Sequence, residues 1–214
     1  MSRLLFVRHG KQQSTSERSE LDRKDPPLSE LGTQQALARA EQLADELGGV
    51  APLLIASSPM RRALMTAAPI AAALKTALLV NGACYEYSCA GAEFRGSGMG
   101  AIRAISADAS LLAVGPNGEW EYQGSDAEES DLEARQRARR VAGWLRDDCL
   151  PQVRGGGAVV LVAHQTFLDL VMQVLLTGSD ARFTYGSPQH KLAHTGVCRL
   201  LAHPDGRLEK YQTS

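Results

Sequence analysis

Two histidines and several arginines stand in the polar clusters that end three short apolar runs of this chain, and residues of these types suit work on a phosphoryl group. Each of three runs ends in one or two of them, in the order Arg8 and His9, Arg61 and Arg62, and His164. Arginine forks match phosphate oxygens bidentately and stay charged throughout the working pH range. A histidine held among them can attack phosphorus in line and form a covalent intermediate that water resolves. The set predicts phosphoryl transfer that requires no metal.

The three apolar runs are predicted to be strands of one parallel sheet. Residues 4–7, 53–56 and 158–163 show no alternation, which is typical of strands covered on both faces. The carboxyl ends of parallel strands share one edge of the sheet, where ligands bind in open α/β folds. Because Arg8 and His9 alone also fit the polar end of an edge strand, the prediction depends on all three strand ends meeting.

Segments with helical spacing separate the strands. Helices are predicted at about 29–47 with Ser29 as N-cap, from 60 onwards with a kink or break at Pro69, at about 127–149, and at about 166–176. A further strand is predicted at 77–80, and 196–201 with 207–211 indicate a terminal hairpin. The alternation predicts an α/β three-layer sandwich, a mostly parallel central sheet with helices on both faces. Gly32, in the first predicted helix, is a mild conflict that costs up to about 1 kcal/mol if exposed.

Length and charge limit the classes of protein that remain. The 214 residues are expected to form one domain, 1–214, with a lid or insertion at about 83–126, where glycine is frequent. A formal charge of −1 gives no reason to expect nucleic acid or an anionic membrane as partner. The basic run 135–140 follows acidic residues, which predicts a solvated helix face. Since no apolar run approaches about 18 residues and no signal peptide is evident, the chain is expected in the cytoplasm.

The spacing of cysteines and histidines does not indicate a metal site. The 4 cysteines form no C-x-x-C pair and no zinc-ligand spacing, so reduced thiols are expected. His190, His194 and His203, near the terminal hairpin, are interpreted as surface or structural histidines rather than zinc ligands. We therefore expect neither a metal nor another cofactor.

Four motifs together resemble the histidine phosphatase superfamily, also called the phosphoglycerate-mutase-like family. They are Arg8-His9-Gly10 after the first strand, Pro27-Leu28-Ser29-Glu30-Leu31-Gly32 with Gln35-Ala36, Ser58-Pro59-Met60-Arg61-Arg62-Ala63 with Thr66-Ala67, and His164 after a valine-rich strand. Arg-His-Gly alone is a weak match, but the four motifs occur in the family's order and span most of the chain outside the predicted insertion. The resemblance implies phosphohistidine chemistry on a small phosphorylated substrate.

The resemblance also implies a role for each matched residue. His9 would be the phosphorylated nucleophile, while Arg8 and Arg62 would hold phosphate oxygens. His164 would hydrogen-bond the transferring group. Arg62 matches the arginine of the family's Arg-Ala-x-x-Thr-Ala segment, whereas Arg61 is expected at the surface or rim of the site.

The family further uses an acid on the loop after the third strand to protonate the leaving oxygen. Such a role is worth about 10²- to 10⁴-fold in rate. Glu86 stands where that acid is expected, with Glu93 as the second candidate. The alternative for either residue is a solvated loop carboxylate, because acidic groups are common on surfaces.

Two departures from the family bear on the reaction and its substrate. Gln165 stands where most relatives have glycine, and it is expected to hydrogen-bond the substrate or to narrow the entrance. Residues 11–16 replace a small hydroxyl residue, tryptophan and asparagine that glycolytic mutases carry, and Gln12 in this segment is a candidate substrate contact. This favours a phosphatase that hydrolyses a phosphomonoester. Mutase-type phosphotransfer and an inactive phosphate-binding module are the alternatives, and the substrate and oligomeric state stay open.

Overall fold

The computed structural model describes residues 1–14, 16, 25–87, 98–112 and 129–213, and its strands form one sheet. The strands are β1 (Ser2–Arg8), β2 (Leu53–Ser57), β3 (Leu78–Asn81), β4 (Ser110–Leu112), β5 (Ala158–Ala163), β6 (Val197–Ala202) and β7 (Leu208–Thr213). They lie in the order β4-β3-β2-β5-β1-β6-β7. β1 to β5 are parallel to one another, whereas β6 runs antiparallel to both β1 and β7. The predicted mostly parallel sheet and terminal hairpin are confirmed.

Helices cover both faces of this sheet. They are α1 (Glu30–Leu47), α2 (Arg61–Ala73), α3 (Met99–Ile105), α4 (Asp131–Gly143), α5 (Leu150–Gln152) and α6 (Gln165–Thr177). Successive side chains of a strand point to opposite faces. Leu5 and Val7 of β1 therefore pack in the core beside α1 and α2, while Leu4 and Phe6 pack in the core beside α4 and α6. The expected three-layer α/β sandwich is confirmed.

The helices begin and end close to where local signals place them. Ser29 caps α1, because its hydroxyl accepts a hydrogen bond from the Gly32 N–H at 3.1 Å. α2 continues through Pro69, so this proline does not end the helix. The segment predicted as one helix at 127–149 is α4, opened by a capping box, followed by a π-helical turn at Trp144–Cys149.

Part of the range predicted as an insertion belongs to the sheet. α3 and β4 lie within 83–126, and β4 pairs in parallel with β3 at the edge. A strand of 3 residues is too short for its periodicity to be recognised, which is why it was missed. Residues 88–97 and 113–126 of the range lie outside the described residues, and the lid or insertion stays a prediction.

Two glycines let the loop after β1 pass close to the start of α1. A Cβ on Gly10 would lie 2.6 Å from the carbonyl oxygen of Gly32, and a Cβ on Gly32 would lie 1.9 Å from the carbonyl oxygen of Lys11. Backbone atoms cannot swing aside as the end of a flexible side chain can. Gly32 is therefore required by close packing, and the expectation that it is only a mild conflict within a helix is wrong.

We expect Gly32→Ala to lower the free energy of unfolding by at least about 2 kcal/mol, because the added methyl group must displace backbone. Gly100→Ala is the matched control: Gly100 also lies in the first turn of a helix, but an added Cβ there meets nothing within 4 Å. The control should be neutral or more stable by up to about 1 kcal/mol. Urea denaturation measures both, and equal stabilities of the two variants would contradict the close-packing argument.

Candidate active site

The ends of β1, β2 and β5 bring the predicted residues to one edge of the sheet. The hydrogen-bond ladder continues past the strand ends: the His9 N–H donates to the Ala163 carbonyl at 2.9 Å, and the Ser58 N–H donates to the Val162 carbonyl at 2.9 Å. The rings of His9 and His164 consequently lie 5.1 Å apart between their centroids. Backbone pairing alone therefore sets the two histidines side by side.

His9 presents one ring nitrogen as an acceptor. Its Nδ1 lies 2.7 Å from the carbonyl oxygen of Gly10. Because a carbonyl can only accept, Nδ1 carries the proton and Nε2 carries the lone pair. The Nε–H of Arg62 points at that Nε2 across 3.3 Å. Burial and then the charge of Arg62 lower the pKa of His9 well below its usual range, so the ring is neutral near pH 7.

His164 is fully buried, and Ser58 orients its ring. The Ser58 Oγ lies 2.7 Å from the His164 Nε2, and the same oxygen accepts the Met60 N–H at 3.2 Å. A Ser58 hydroxyl that donates to Nε2 leaves the ring proton of neutral His164 on Nδ1. This Nδ1 is buried, and no hydrogen-bond partner reaches it from the described residues. Burial, followed by the charge of Arg62, lowers the pKa of His164 well below its usual range.

The two matched arginines reach this edge from different elements. Arg62, in the first turn of α2, is 5% exposed, and its Nη1 lies 3.8 Å from the carboxylate of Asp25. Arg8 donates from Nη1 to the carbonyl of Leu192 at 2.8 Å, while its buried Nε has no partner in the described part of the chain. Arg61, expected at the rim, is half-buried, and its N–H donates to Asp25 at 3.0 Å. Two guanidinium groups thus flank two neutral histidines.

Glu86 lies at the N-terminus of α6, where three backbone N–H groups hold its carboxylate. Oε1 accepts from Tyr87 at 2.9 Å and from Phe167 at 3.0 Å, and Oε2 accepts from Thr166 at 3.4 Å. Burial raises the pKa of Glu86, although these N–H groups and the charge of Arg62 oppose that shift. Glu86 is therefore a fixed, partly buried carboxylate and not a freely solvated one.

Gln165 binds neighbouring backbone through both ends of its side-chain amide. Oε1 accepts the Leu192 N–H at 2.6 Å, and Nε2 donates to the His190 carbonyl at 3.0 Å. Because the Leu192 carbonyl accepts the hydrogen bond from Arg8, Gln165 fixes the segment that holds this arginine. Its predicted contact with a substrate stays a prediction.

The structure does not test the roles predicted for two further residues. Gln12 lies on the loop after β1, where its backbone forms an isolated bridge with Leu28. Its predicted substrate contact also stays a prediction. Glu93, the second candidate for the acid, lies outside the described residues.

Two residues beside this edge were not recognised from the sequence. The ring of His194 lies 6.0 Å from that of His9, with its Nε2 3.5 Å from an Arg8 nitrogen, yet no spacing connects it with the motifs.

Arg137 of α4 was predicted on a solvated face; this is wrong, because it is 2% exposed and paired with Glu129. The pair spans eight residues, so the spacing of three or four that marks helix-surface ion pairs gave no signal.

Two further observations concern metal binding and membrane-spanning helices. Within the described ranges, no group of three or more histidine, cysteine, aspartate or glutamate side chains could hold a metal ion. None of the helices in this part of the chain is long and apolar enough to cross a membrane.

The sequence and the structure both match known proteins. A model of the histidine phosphatase superfamily (branch 1) matches residues 4–212. A glucosyl-3-phosphoglycerate phosphatase from Mycolicibacterium vanbaalenii is 45% identical over 65 residues, which cover 30% of this chain and 27% of that protein. The structure of a mycobacterial glucosyl-3-phosphoglycerate phosphatase with VO3 aligns over 98% of this chain and 97% of that one, with a TM-score of 0.65 and 25% identity. Ecdysone phosphate phosphatase from Bombix mori, with tungstate, aligns over 99% and 92%, with a TM-score of 0.70 and 16% identity, and shows the fold alone.

The fold and the site define an α/β protein that gathers histidines and arginines at the carboxyl edge of its parallel strands. The chain belongs to the histidine phosphatase superfamily. This confirms the resemblance carried by the four sequence motifs. The mycobacterial relatives named above are phosphatases, which supports the expectation of a phosphomonoester hydrolase.

We expect acid to destabilise the protein partly through His164. Because its pKa is lowered by folding, the unfolded chain binds a proton below about pH 6.5 that the folded chain does not bind. Stability contributed by the neutral ring is therefore complete above pH 6.5 and is lost as pH falls, by up to about 1.4 kcal/mol per pH unit. In His164→Gln, unfolding free energies from urea denaturation should fall less steeply between pH 6.5 and 5.5 than in the wild type. The difference between the two unfolding free energies at pH 7.5 corrects for the effect of the substitution on stability. Identical pH slopes in the variant and the wild type would refute the contribution of His164.

Proposed function

We propose that the chain is a metal-independent phosphomonoesterase that forms a phosphohistidine at His9. The observation that carries the proposal is the arrangement around His9: a neutral ring with its Nε2 lone pair beside the Arg62 guanidinium. A nucleophile must be deprotonated at the attacking atom, and the group it attacks must be drawn to that atom. The lone pair meets the first requirement, and the arginine charge meets the second for an anionic phosphoryl group.

Two buried donors support a phosphoryl group as the ligand. Arg8 Nε and His164 Nδ1 have no hydrogen-bond partner among the described residues. Buried polar atoms are satisfied in most native proteins, and each exception requires an explanation. Oxygens of a phosphoryl group bound at this edge would satisfy both donors. Their charge would be shared between the guanidinium groups of Arg8 and Arg62.

In the proposed first step, His9 Nε2 attacks phosphorus, the N–P bond forms and the ester P–O bond breaks. Glu86 donates its proton to the leaving oxygen, so an alcohol and a phosphohistidine result. Burial raises the pKa of Glu86, which keeps more of the acid protonated near neutral pH. Neutral His164 donates from Nδ1 to a phosphoryl oxygen while the negative charge is spread over the equatorial oxygens.

In the second step, a water molecule attacks the phosphorus of the phosphohistidine. Glu86, now a carboxylate, accepts the proton of the attacking water, and the N–P bond breaks. Inorganic phosphate leaves, and both His9 and Glu86 return to their starting forms. One carboxyl group serves as acid and then as base, because the two steps reverse the direction of proton transfer.

The alcohol portion of the substrate is proposed to occupy a cavity of about 270 Å³ beside Arg8. It is lined by polar side chains, among them Gln165, Thr166, Asp169 and Lys191, and by apolar ones, among them Phe183 and Pro188. The charged and hydroxyl-bearing side chains of this lining would bind the polar groups of a small phosphorylated metabolite, and the mycobacterial relatives are named for one, glucosyl-3-phosphoglycerate. A panel of phosphorylated sugars and acids would identify the preferred class.

A cytoplasmic location stays part of this proposal. Cys84, Cys149 and Cys198 are buried free thiols, and free thiols are usual in reducing compartments. Cys89 lies outside the described residues.

We expect His9→Ala to lose hydrolysis of p-nitrophenyl phosphate by at least about 10³-fold, because the proposed mechanism takes its attacking nitrogen from His9. With a ³²P-labelled substrate, acid quenching too briefly to hydrolyse a phosphohistidine should trap label on the wild type, and prolonged acid should release it. The variant should carry no label. His203→Ala, on the terminal hairpin, serves as the matched control and should retain both properties. Comparable turnover by His9→Ala would exclude the proposed nucleophile.

Glu86→Gln should separate substrates by their leaving groups. With an alkyl phosphate such as glycerol phosphate, the rate of alcohol release in a single turnover should fall about 10²- to 10⁴-fold, because the alkoxide requires a proton. With p-nitrophenyl phosphate, whose phenolate leaves readily without one, release should fall much less. Equal losses on both substrates would show that Glu86 is not the acid.

A further inference from the structure

A buried arginine on α4 connects the two segments that hold Glu86. Arg137 is 2% exposed, and its guanidinium forms two 2.6 Å hydrogen bonds with the carboxylate of Glu129. Its remaining nitrogen, Nη1, donates to the carbonyl of Ala83 at 2.9 Å and to the carbonyl of Tyr85 at 2.9 Å. These carbonyls belong to the turn that leads directly into Glu86.

The same guanidinium also packs against the start of α6. Its central carbon lies 3.6 Å from the ring centroid of Tyr85 and 4.1 Å from that of Phe167. Phe167 in turn donates its N–H to the Glu86 carboxylate at 3.0 Å. Arg137 thus contacts both the residue before Glu86 in the chain and a residue that binds its side chain.

The charge of Arg137 is matched locally. Glu129 is itself buried, accepts both forked hydrogen bonds, and also accepts the Tyr85 hydroxyl at 3.3 Å. A buried ion pair recovers its desolvation cost only with good geometry and gives little net stability over an apolar replacement. Stability is therefore a weak reason for this cluster. A stronger reason for the cluster is that it fixes the position of the polar backbone groups around it.

We propose that Arg137, held by Glu129, is a positioning residue for Glu86 in the reaction. The inference rests on the proposed function, in which Glu86 protonates the leaving oxygen. Two carbonyl hydrogen bonds fix the direction in which the chain enters Glu86, and stacking on Phe167 fixes one N–H that binds its carboxylate. Proton transfer requires a hydrogen-bond distance to the leaving oxygen, so a small displacement of the carboxyl group lowers the rate.

A positioning role and a purely structural role predict different kinetics. If Arg137 only supported the fold, its loss would affect all substrates through the amount of active protein. If it positions the acid, its loss must affect mainly the substrates that need the acid. The informative quantity is the ratio of single-turnover release rates for p-nitrophenyl phosphate and glycerol phosphate, which does not depend on the concentration of folded protein.

The test is Arg137→Lys, which keeps the positive charge but removes the fork and the planar stack. The ratio should rise about 10- to 100-fold, the size of effect that a displacement of about 1 Å can cause. In the background of Glu86→Gln, Arg137→Lys should cause no further rise, since it acts through Glu86. An unchanged ratio in the single variant, or a full additional rise in the double variant, would overturn the proposal.

Arg199→Lys supplies the matched control. Arg199 of β6 also forms two hydrogen bonds with one carboxylate, that of Glu46, at 2.9 and 2.7 Å, on a different face of the molecule. Its variant should change stability without changing the ratio.

A second variant covers the case in which Arg137→Lys does not fold. Glu129→Gln keeps the size of the side chain and one acceptor oxygen, and it should raise the ratio in the same direction. If this variant is unfolded as well, or folds with the wild-type ratio, the proposal is overturned and the cluster belongs to the fold. Absence of p-nitrophenyl phosphate hydrolysis by the wild type would instead contradict the proposed function itself, so the two failures are distinguishable.

Discussion

The parallel pairing of β1 with β5 is the constraint on which the site depends. A hydrogen bond of 2.9 Å from the His9 N–H to the Ala163 carbonyl extends this pairing by one residue beyond the strand. It places His9 beside His164 before any side-chain contact is considered. A slip of one residue in register would turn His9 to the other face of the sheet, because side chains alternate. The buried apolar side chains on both faces of β1 therefore also fix the orientation of His9.

Burial at this edge has opposite effects on histidine and glutamate, and the proposed chemistry uses both. Desolvation disfavours the charged form of any group, so it lowers the pKa of His9 and His164 and raises that of Glu86. The two rings are kept neutral, which leaves His9 the lone pair that a nucleophile requires. The carboxyl group is kept closer to its acid form. One desolvated environment thus shifts the pKa values of a nucleophile and an acid in opposite directions, each toward the protonation state that its proposed role needs.

The sequence predicts the framework and the nucleophile side of the site better than the acid side. Apolar runs with polar ends located three strands of the sheet, and Arg62 follows from its motif. His194 and Arg137 gave no signal, because their neighbours in the fold are distant in the chain: the partner of His194 is Arg8, and Arg137 contacts Ala83 and Phe167. The close approach of Gly32 to Lys11 was also invisible, since helix propensity treats the residue as solvated.

This difference between the two sides has a physical cause. His9 is held by backbone groups: its N–H binds a carbonyl of β5 and its Nδ1 binds the Gly10 carbonyl, both of which are independent of side-chain identity. Only the residues that make the chemistry or permit close approach are then restricted, which produces a short, readable motif. Glu86 is held by the N-terminus of α6 and by a cluster around Arg137. Because that support comes from side chains on another helix, several residue combinations could provide it, and no local pattern marks it. The absence of Glu86 from the four sequence motifs is therefore the expected result where a reacting group is positioned by distant side chains.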